Sequence, residues 1–391
     1  AAPDIALNQL HHRRTLPAHG DEAVVRPNRD TLYSLAWLDL SAGPAILRFP
    51  EIDGRYWLAQ VMDAWTDVAG TAGSHTAGTA PGAVLIAGPG WDGPALPGMA
   101  RIAVDTQTAW LLIRIAVADT PDDLDAGRAL QDAFALTAPA LEDPTFPVAD
   151  RRPAHAVGAM AADAFFQRLA ARLAVDPPRP ADAAMIDQLA ALGVEPGAYD
   201  RQTFGPLARM AIERGLATAR ERLAQGVEAR PYGPTNWRTA LDLGDYGTDY
   251  ALRAGVAHIG LGANRPVDAI YPSTDIDAAG RPLSGDHVYQ IRFEPGRTPP
   301  AGAFWSVAAY DAEGFLQDVT RHSAGDRDGL AFDADGGLTL VISAAPPEVA
   351  PQSNWVQVAP GVPFQLTARL YDPYPEALSG DWRMPPVEWM D

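Results

Sequence analysis

Cysteine is absent from the 391 residues, which removes disulfides, thiol nucleophiles, zinc ribbons and iron–sulfur clusters from consideration. Basic residues are scarce: 30 Lys and Arg stand against 49 Asp and Glu, a formal net charge of −19. Nucleic acids and anionic membrane surfaces are bound through Lys/Arg patches, so neither partner is expected. No apolar run approaches the roughly 20 residues of a membrane-spanning helix, so membrane insertion is not expected either. Also missing are a His-Glu-x-x-His pattern among the eight histidines, a Gly-x-Ser-x-Gly elbow and a dinucleotide fingerprint,. The expectation is therefore no cofactor and no metal. Hydrophobic residues make up 47%, enough for a large core, and the length exceeds what one core accommodates, so two or three domains are expected.

What is present is strand-forming sequence at both ends and helical sequence between. Residues 31–40, 45–49, 56–63, 83–87, 101–104 and 109–117 read as short strands separated by Gly/Pro turns such as Gly88-Pro89-Gly90,. The strand at 56–63 does not alternate, which predicts burial on both faces. At Thr120-Pro121, with Asp122 and Asp123 in the first turn, the period changes to that of a helix reaching about residue 136,. Further helices are predicted over 157–175, 181–192 (closed by Gly193), 206–225 (closed by Gly226) and 248–260,. Strands return at 287–293, 303–310, 315–320, 338–343 and 364–371. The predicted fold is mainly β with a helical insert. An immunoglobulin-like β-sandwich spans 1–118, an α-helical domain 119–265, and a C-terminal jelly-roll-like β-sandwich 266–391.

Two constellations could carry chemistry. Asn28, Arg29, Asp30 and Tyr33 open one strand, while Asp63, Trp65 and Asp67 close another. If those strands pair, carboxylates and an indole converge at one sheet edge. Paired carboxylates divide acid and base work when their environments split their pKa values, and the indole suits a sugar ring. The structural alternative is a turn in which Asp30 accepts backbone N–H bonds and Trp65 belongs to a core. Tyr246, Asp249, Tyr250 and Arg253 form the second group, with Asp249 and Arg253 spaced i,i+4 for an ion pair,. Such a pair serves more often to lock a helix between domains than to do chemistry. Gly260-Leu261-Gly262-Ala263-Asn264 lacks the Lys-Ser/Thr of a phosphate loop and reads as a helix C-cap,. Asp326-Arg327-Asp328-Gly329 and Asp333-Ala334-Asp335-Gly336 have calcium-like spacing without the full twelve-residue loop,. A mixed site from His11, His75 and Asp30 is a further arrangement that sequence cannot exclude.

Several of these segments carry a family resemblance. Arg26-Pro27-Asn28-Arg29-Asp30-Thr31-Leu32-Tyr33-Ser34, Met62-Asp63-Ala64-Trp65-Thr66-Asp67, Phe304-Trp305-Ser306, Asn354-Trp355 and Arg369-Leu370-Tyr371 occur in an order and spacing that resemble a bacterial two-part family. It consists of domain of unknown function 1254 followed by domain of unknown function 1214. The resemblance runs from about Leu7 to Pro386 and implies the same sandwich, helical insert and jelly roll, with no settled reaction. Relatives tend to carry a basic residue before Thr-Thr-Gly where this chain has Ser74-His75-Thr76-Ala77-Gly78, and Leu-Pro where it has Val356-Gln357.

The functional expectation is a cofactor-independent hydrolase or lyase acting on a small molecule or glycan in an interdomain cleft. Asp30, Asp63, Arg29 and Tyr33 are its candidate catalytic residues. Asn28, Trp65, His75, Tyr250, Arg253 and Asn264 are its candidate substrate-binding residues. Two alternatives stand beside it: a non-catalytic small-molecule or carbohydrate-binding protein of the cell envelope, and a structural module whose sheet edges build a homo-oligomer. The start at Ala1-Ala2-Pro3 resembles a processed end and leads us to expect a periplasmic or secreted protein, with a cytoplasmic one not excluded.

Overall fold

The computed structural model describes residues 5–22, 24–94, 97–141, 145–146, 153–228, 230–348 and 350–390. The first four residues, on which the expectation of export rests, lie outside it. The protein is mainly β with a helical insert. Its chain divides into two compact units, the first being Ala1–Thr15, Thr31–Ala229 and Asp245–Gly262, the second Leu16–Asp30, Arg230–Gly244 and Ala263–Asp391. The helical segment thus belongs with the first sandwich, and a piece of the N-terminal region belongs with the second.

The first unit contains β1 (His11–Arg13), β2 (Thr31–Asp39), β3 (Ala45–Phe49), β4 (Trp57–Asp63), β5 (Val68–Gly73), β6 (Gly82–Ala87), β7 (Ala100–Ala103), β8 (Thr108–Ala116) and β9 (Ala135–Thr137). They form a five-stranded sheet in the order β1-β2-β8-β4-β5 and a four-stranded sheet in the order β9-β3-β6-β7. Alternate residues face inward, as the two-residue period of a strand requires. Ala36, Leu38, Val61, Leu111 and Ile113 of one sheet meet Leu47, Val84 and Ile86 of the other. β4 is buried along its whole length, as its lack of alternation predicts. Its second face, with Met62, packs beside Leu112, Tyr33, Leu35 and Trp110.

The insert holds α1 (Pro121–Ala133), α2 (Pro153–Gly158), α3 (Ala162–Val175), α4 (Ala183–Ala190), α5 (Pro206–Glu228) and α6 (Tyr250–Ile259). Three helical expectations need correction. α1 stops early because residues 135–137 pair with β3. The stretch 157–175 is broken after Gly158, a poor helix former. α5 runs past Gly226 to Glu228.

The second unit contains β10 (Ala269–Ile270), β11 (Ser273–Thr274), β12 (Val288–Phe293), β13 (Ala301–Asp311), β14 (Ser323–Gly325), β15 (Leu338–Ser343), β16 (Trp355–Gln357), β17 (Phe364–Pro373) and β18 (Glu388–Met390). One sheet has the order β10-β17-β13-β14, with β11 also on β17, and the other the order β16-β15-β12-β18. Residues 315–320, expected as a strand, form none. The chain turns at Gly314 (φ +89°), with Asp311 bonding the backbone of Phe315 at both ends. The ladder partner of β13 is instead β14.

β13 and β17 explain why the N-terminal piece sits here. Trp305, Val307 and Ala309 with Leu366, Ala368 and Leu370 fill the core. The alternate positions Ser306, Tyr310, Gln365, Arg369 and Tyr371 are polar yet buried, so they need partners. The segment Leu16–Asp30 supplies them. Arg26 Nε donates to Gln365 Oε1 (2.9 Å) and Arg369 Nη2 to the Arg26 carbonyl (2.9 Å). Tyr310 Oη donates to the Pro27 carbonyl (2.9 Å), Asn28 Nδ2 to Tyr371 Oη (2.8 Å), and Ser306 Oγ to Asp30 Oδ2 (2.8 Å). Tyr310→Phe strands the Pro27 carbonyl and should lower the unfolding free energy by about 1–2 kcal/mol. Urea denaturation reads this directly, and an unchanged midpoint would show that the Tyr310–Pro27 bond contributes nothing.

Candidate functional site

In the second unit the Asn28–Asp30 turn is built from its own side chains. Asn28 Oδ1 accepts the Asp30 N–H (2.8 Å), the Asx geometry that suits Asn after Pro. Asp30 is 8% exposed. Besides Ser306, its Oδ2 has the Tyr371 hydroxyl at 3.5 Å. Arg29 donates to the Pro17 carbonyl. The space behind, lined by Arg29, Asp30, Tyr310, His322 and Arg369, is too narrow to hold a water molecule. Burial opposes the charge on Arg369, but Tyr310, Tyr371 and Asp30 outweigh it and hold the guanidinium cationic.

Against Asp30 lies the one-turn helix Asp326–Asp328 after β14. Arg327 lies 3.8 Å over the Phe304 ring, with Nη2 3.3 Å from the Asp30 carbonyl oxygen and 3.6 Å from its Oδ1. Asp326 Oδ1 accepts the Trp305 N–H (3.2 Å) and Asp328 Oδ2 the Gly325 N–H (2.7 Å). Both aspartates are exposed as residues, while their carboxyls are crowded by protein on one side. That partial burial, reinforced by the charges of Asp30 and Asp328, pushes Asp326 up to about 6, against the Trp305 N–H and Arg327. Asp328 is raised by burial and by Asp30, against the Gly325 N–H and Arg327.

The first unit holds a separate network. Asp63 Oδ1 accepts the N–H groups of Trp65 and Asp67 (both 2.9 Å), capping the tight turn between β4 and β5. Asp67 Oδ2 is clamped by Arg179 (2.7 Å) and Arg253 (2.8 Å), and its Oδ1 accepts the Tyr246 N–H (2.7 Å). Tyr250 donates to Asp182 Oδ1 (2.8 Å). Burial opposes the charge on Asp182, and the bonds from Tyr250 and Arg179 outweigh it, so its pKa is lowered. The Asp249–Arg253 pair expected from spacing does not form. Asp249 instead caps α6 through the Leu252 N–H (2.9 Å), which frees Arg253 for Asp67. Asp67 with Arg179 and Arg253 forms a lock that fastens α6 to the β4–β5 turn, although Arg253 Nε has no partner among the described residues.

Asp30 and Asp63 are not brought together. Thr31, bonded to Asp30, is registered with Ala116 of β8, whereas Asp63 is registered with Ala109. That is seven residues along one strand, roughly 23 Å at about 3.3 Å per residue. The two parallel strands lie on either side of β8, so the start of one and the end of the other fall at opposite ends of the sheet. Trp65 packs against the Phe166 cluster of the helices, and His75 lies past the far end of β5 in the Gly73–Ala77 turn. Tyr33 faces Arg114, whose guanidinium is 5.5 Å from the ring centroid and donates to Gln60 (2.8 Å) and the Gly262 carbonyl (2.7 Å). Asn264 is fully buried in the second unit.

Sequence reasoning read Asp326 and Asp328 only as cation-like spacing. Among the described residues no group of three His, Asp or Glu is placed to hold a metal ion. At Asp333 and Asp335 the cation is Arg292, bonded to both. A usable signal was present: the chain contains no lysine, so all 30 basic residues are arginine, and an Arg between two Asp suits forked pairing.

Residues 7–138 match the family described as "Protein of unknown function (DUF1254)" and residues 268–375 match "Protein of unknown function (DUF1214)". The chain belongs to this two-part family. The VPA0106 protein from Vibrio parahaemolyticus is similar at 24% identity and a TM-score of 0.70, over 97% of this chain and 92% of that one, a likeness of fold. An uncharacterised protein from Burkholderia cenocepacia reaches 14% identity and a TM-score of 0.49 over 96% and 80%, too distant to carry an argument. No curated protein matches the chain.

Burial, with the neighbouring Asp67 charge, raises Asp63 to about 6, against the backbone N–H bonds it accepts. A carboxyl raised on folding binds its proton more tightly in the native state, so its ionisation costs stability as pH rises from about 4 to about 6. Asp63→Asn keeps the Oδ1 acceptor and removes the charge. It should be more stable than wild type at neutral pH, by up to about 3 kcal/mol, with the difference vanishing below about pH 4. Thermal melts across that window test this, and an equal loss of stability at every pH would contradict it.

Proposed function

We propose that the chain is a cofactor-independent hydrolase or lyase that acts on a small molecule or a glycan fragment by acid–base chemistry at the Asp326–Asp328 turn. The observation that carries the reading is Asp326, a carboxyl near 6 on an exposed turn, with a guanidinium and two further carboxyls beside it. A group with that pKa is populated in both protonation states near neutral pH, as general acid–base catalysis requires. Asp326 gives a proton to the leaving group, Asp328 takes one from water or from a substrate carbon, and Arg327 balances the negative charge that develops. Asp30 anchors Arg327 and Ser306, and is a positioning residue held in turn by Asn28 and Tyr371. The Ser306 hydroxyl is committed to Asp30, so the nucleophile of a hydrolysis is water. This moves the acid–base pair away from Asp30 and Asp63.

A second reading, binding without turnover, is favoured by one observation in the first unit. Trp37 and Trp110 stack at 5.3 Å on the sheet face that also carries Tyr33 and Arg114. The half-buried Trp110 keeps an Nε1–H with no partner among the described residues.

A panel of p-nitrophenyl esters and glycosides, assayed across pH, separates the two. The acid–base reading expects turnover that falls as pH rises through about 6. Asp326→Asn should lower kcat at least ~100-fold while melting at or above wild type at neutral pH, because a carboxyl raised on folding costs stability when it ionises,. Compounds that bind and are recovered chemically intact support the second reading instead. Turnover untouched in Asp326→Asn contradicts the first.

A further inference from the structure

The first unit has an open cavity of about 450 Å³ that the acid–base reading does not use. That volume falls within the range of small-molecule sites. The cavity lies where β3 ends and β6 begins, with Phe49 registered on Gly82 and Arg48 on Ala83. A further wall comes from residues 97–99, which lead into β7, the parallel neighbour of β6.

One wall depends on a glycine. A Cβ on Gly82 would come within 2.8 Å of the Phe49 ring, so the ring closes on the backbone of β6 where a side chain would otherwise stand. Phe49 belongs to the core of the unit and packs with its centroid 4.7 Å from that of Trp57. The fold therefore holds this ring in place before any ligand arrives. Pro81, Pro97 and Met99 add apolar surface around it.

The one charge in the lining is Arg48, and no acidic residue lines the cavity. Arg48 is exposed. Its only bond among the described residues runs to Thr137 Oγ1 of β9 at 3.4 Å, longer than an ordinary N–H···O bond. Elsewhere in the chain guanidiniums are taken up by carboxylates, as Arg55 is by Asp123 and Arg292 by Asp333 and Asp335. With 49 acidic residues against 30 basic ones, a guanidinium kept clear of them beside an apolar cavity is a ready anchor for an anion. Its planar N–H donors match the fork of a carboxylate.

We propose that this cavity binds a small apolar carboxylate, with the carboxylate on Arg48 and the hydrocarbon body against Phe49, Pro81, Pro97 and Met99. The site stands apart from the acid–base reading, since its residues belong to the first unit and Asp326–Asp328 to the second. Neither depends on the other. Apolar walls without Arg48 would not select for charge, and Arg48 without the walls would be one more surface arginine.

Isothermal titration calorimetry with 2-naphthoate and the neutral 2-naphthamide, on wild type, Arg48→Gln and Arg48→Lys, tests this. Wild type should bind the naphthoate saturably at a single site. It should bind the amide about tenfold more weakly, because the shape is kept and a charge-assisted bond is lost. Arg48→Gln should melt as wild type does, bind the naphthoate about tenfold more weakly, and no longer prefer it to the amide. Arg48→Lys keeps the charge without the fork and should fall between the two. The inference is overturned if the naphthoate does not bind wild type saturably, if the amide binds wild type as tightly, or if Arg48→Gln binds the naphthoate unchanged.

Discussion

The second face of β13 and β17 is the constraint on which the rest depends. A strand must send alternate side chains to opposite sides, and here one side is a hydrocarbon core while the other is a row of buried Ser, Tyr, Gln and Arg. Each donor or acceptor left unmet in such a row costs stability, and Thr367 Oγ1 on the same face has no partner among the described residues. The Leu16–Asp30 segment meets the row with main-chain carbonyls and with Arg26, Asn28 and Asp30. Asp30 is thereby placed beside Ser306 and Arg327.

Two carboxyls are raised to about 6, and their surroundings distinguish them. Asp63 is buried, and its Oδ1 is spent on capping its own turn. Asp326 is exposed as a residue, with its Oδ1 at the Trp305 N–H. The same shift costs stability at neutral pH in both places,, and only at Asp326 does exposure of the residue fit the proton donor we propose. Perturbed titration points to function only where a substrate can reach the group. The all-arginine cation set supports the division. Forked guanidiniums hold Asp67 from two sides in the first unit and bridge to Asp30 in the second.

Much of the architecture was legible in the residues. Strand periods at 31–39, 45–49 and 338–343, the helix start at Thr120-Pro121 and the non-alternating β4 each follow from local pattern. What was not legible depends on which strands are neighbours. Asp30 and Asp63 share motif-like surroundings, yet β8 runs between their strands and sets them at opposite ends. Arg253 has Asp249 at helical spacing, but a cap at the helix start outranks that pair. Residues 315–320 carry strand-like composition and lie beyond a turn that leaves them no ladder partner. Asp326 was visible as a residue and invisible as a site, because the burial that raises it comes from tertiary packing beside Trp305 and is only reinforced by Asp30, nearly 300 positions away in the chain.

The central claim is that Asp326 titrates near neutral pH because of the protein around it. Carbon-13 NMR of its carboxyl, assigned by loss of the resonance in Asp326→Asn, measures that directly. The account predicts a midpoint of about 6. A midpoint of about 4, the ordinary value for an aspartate, would contradict it.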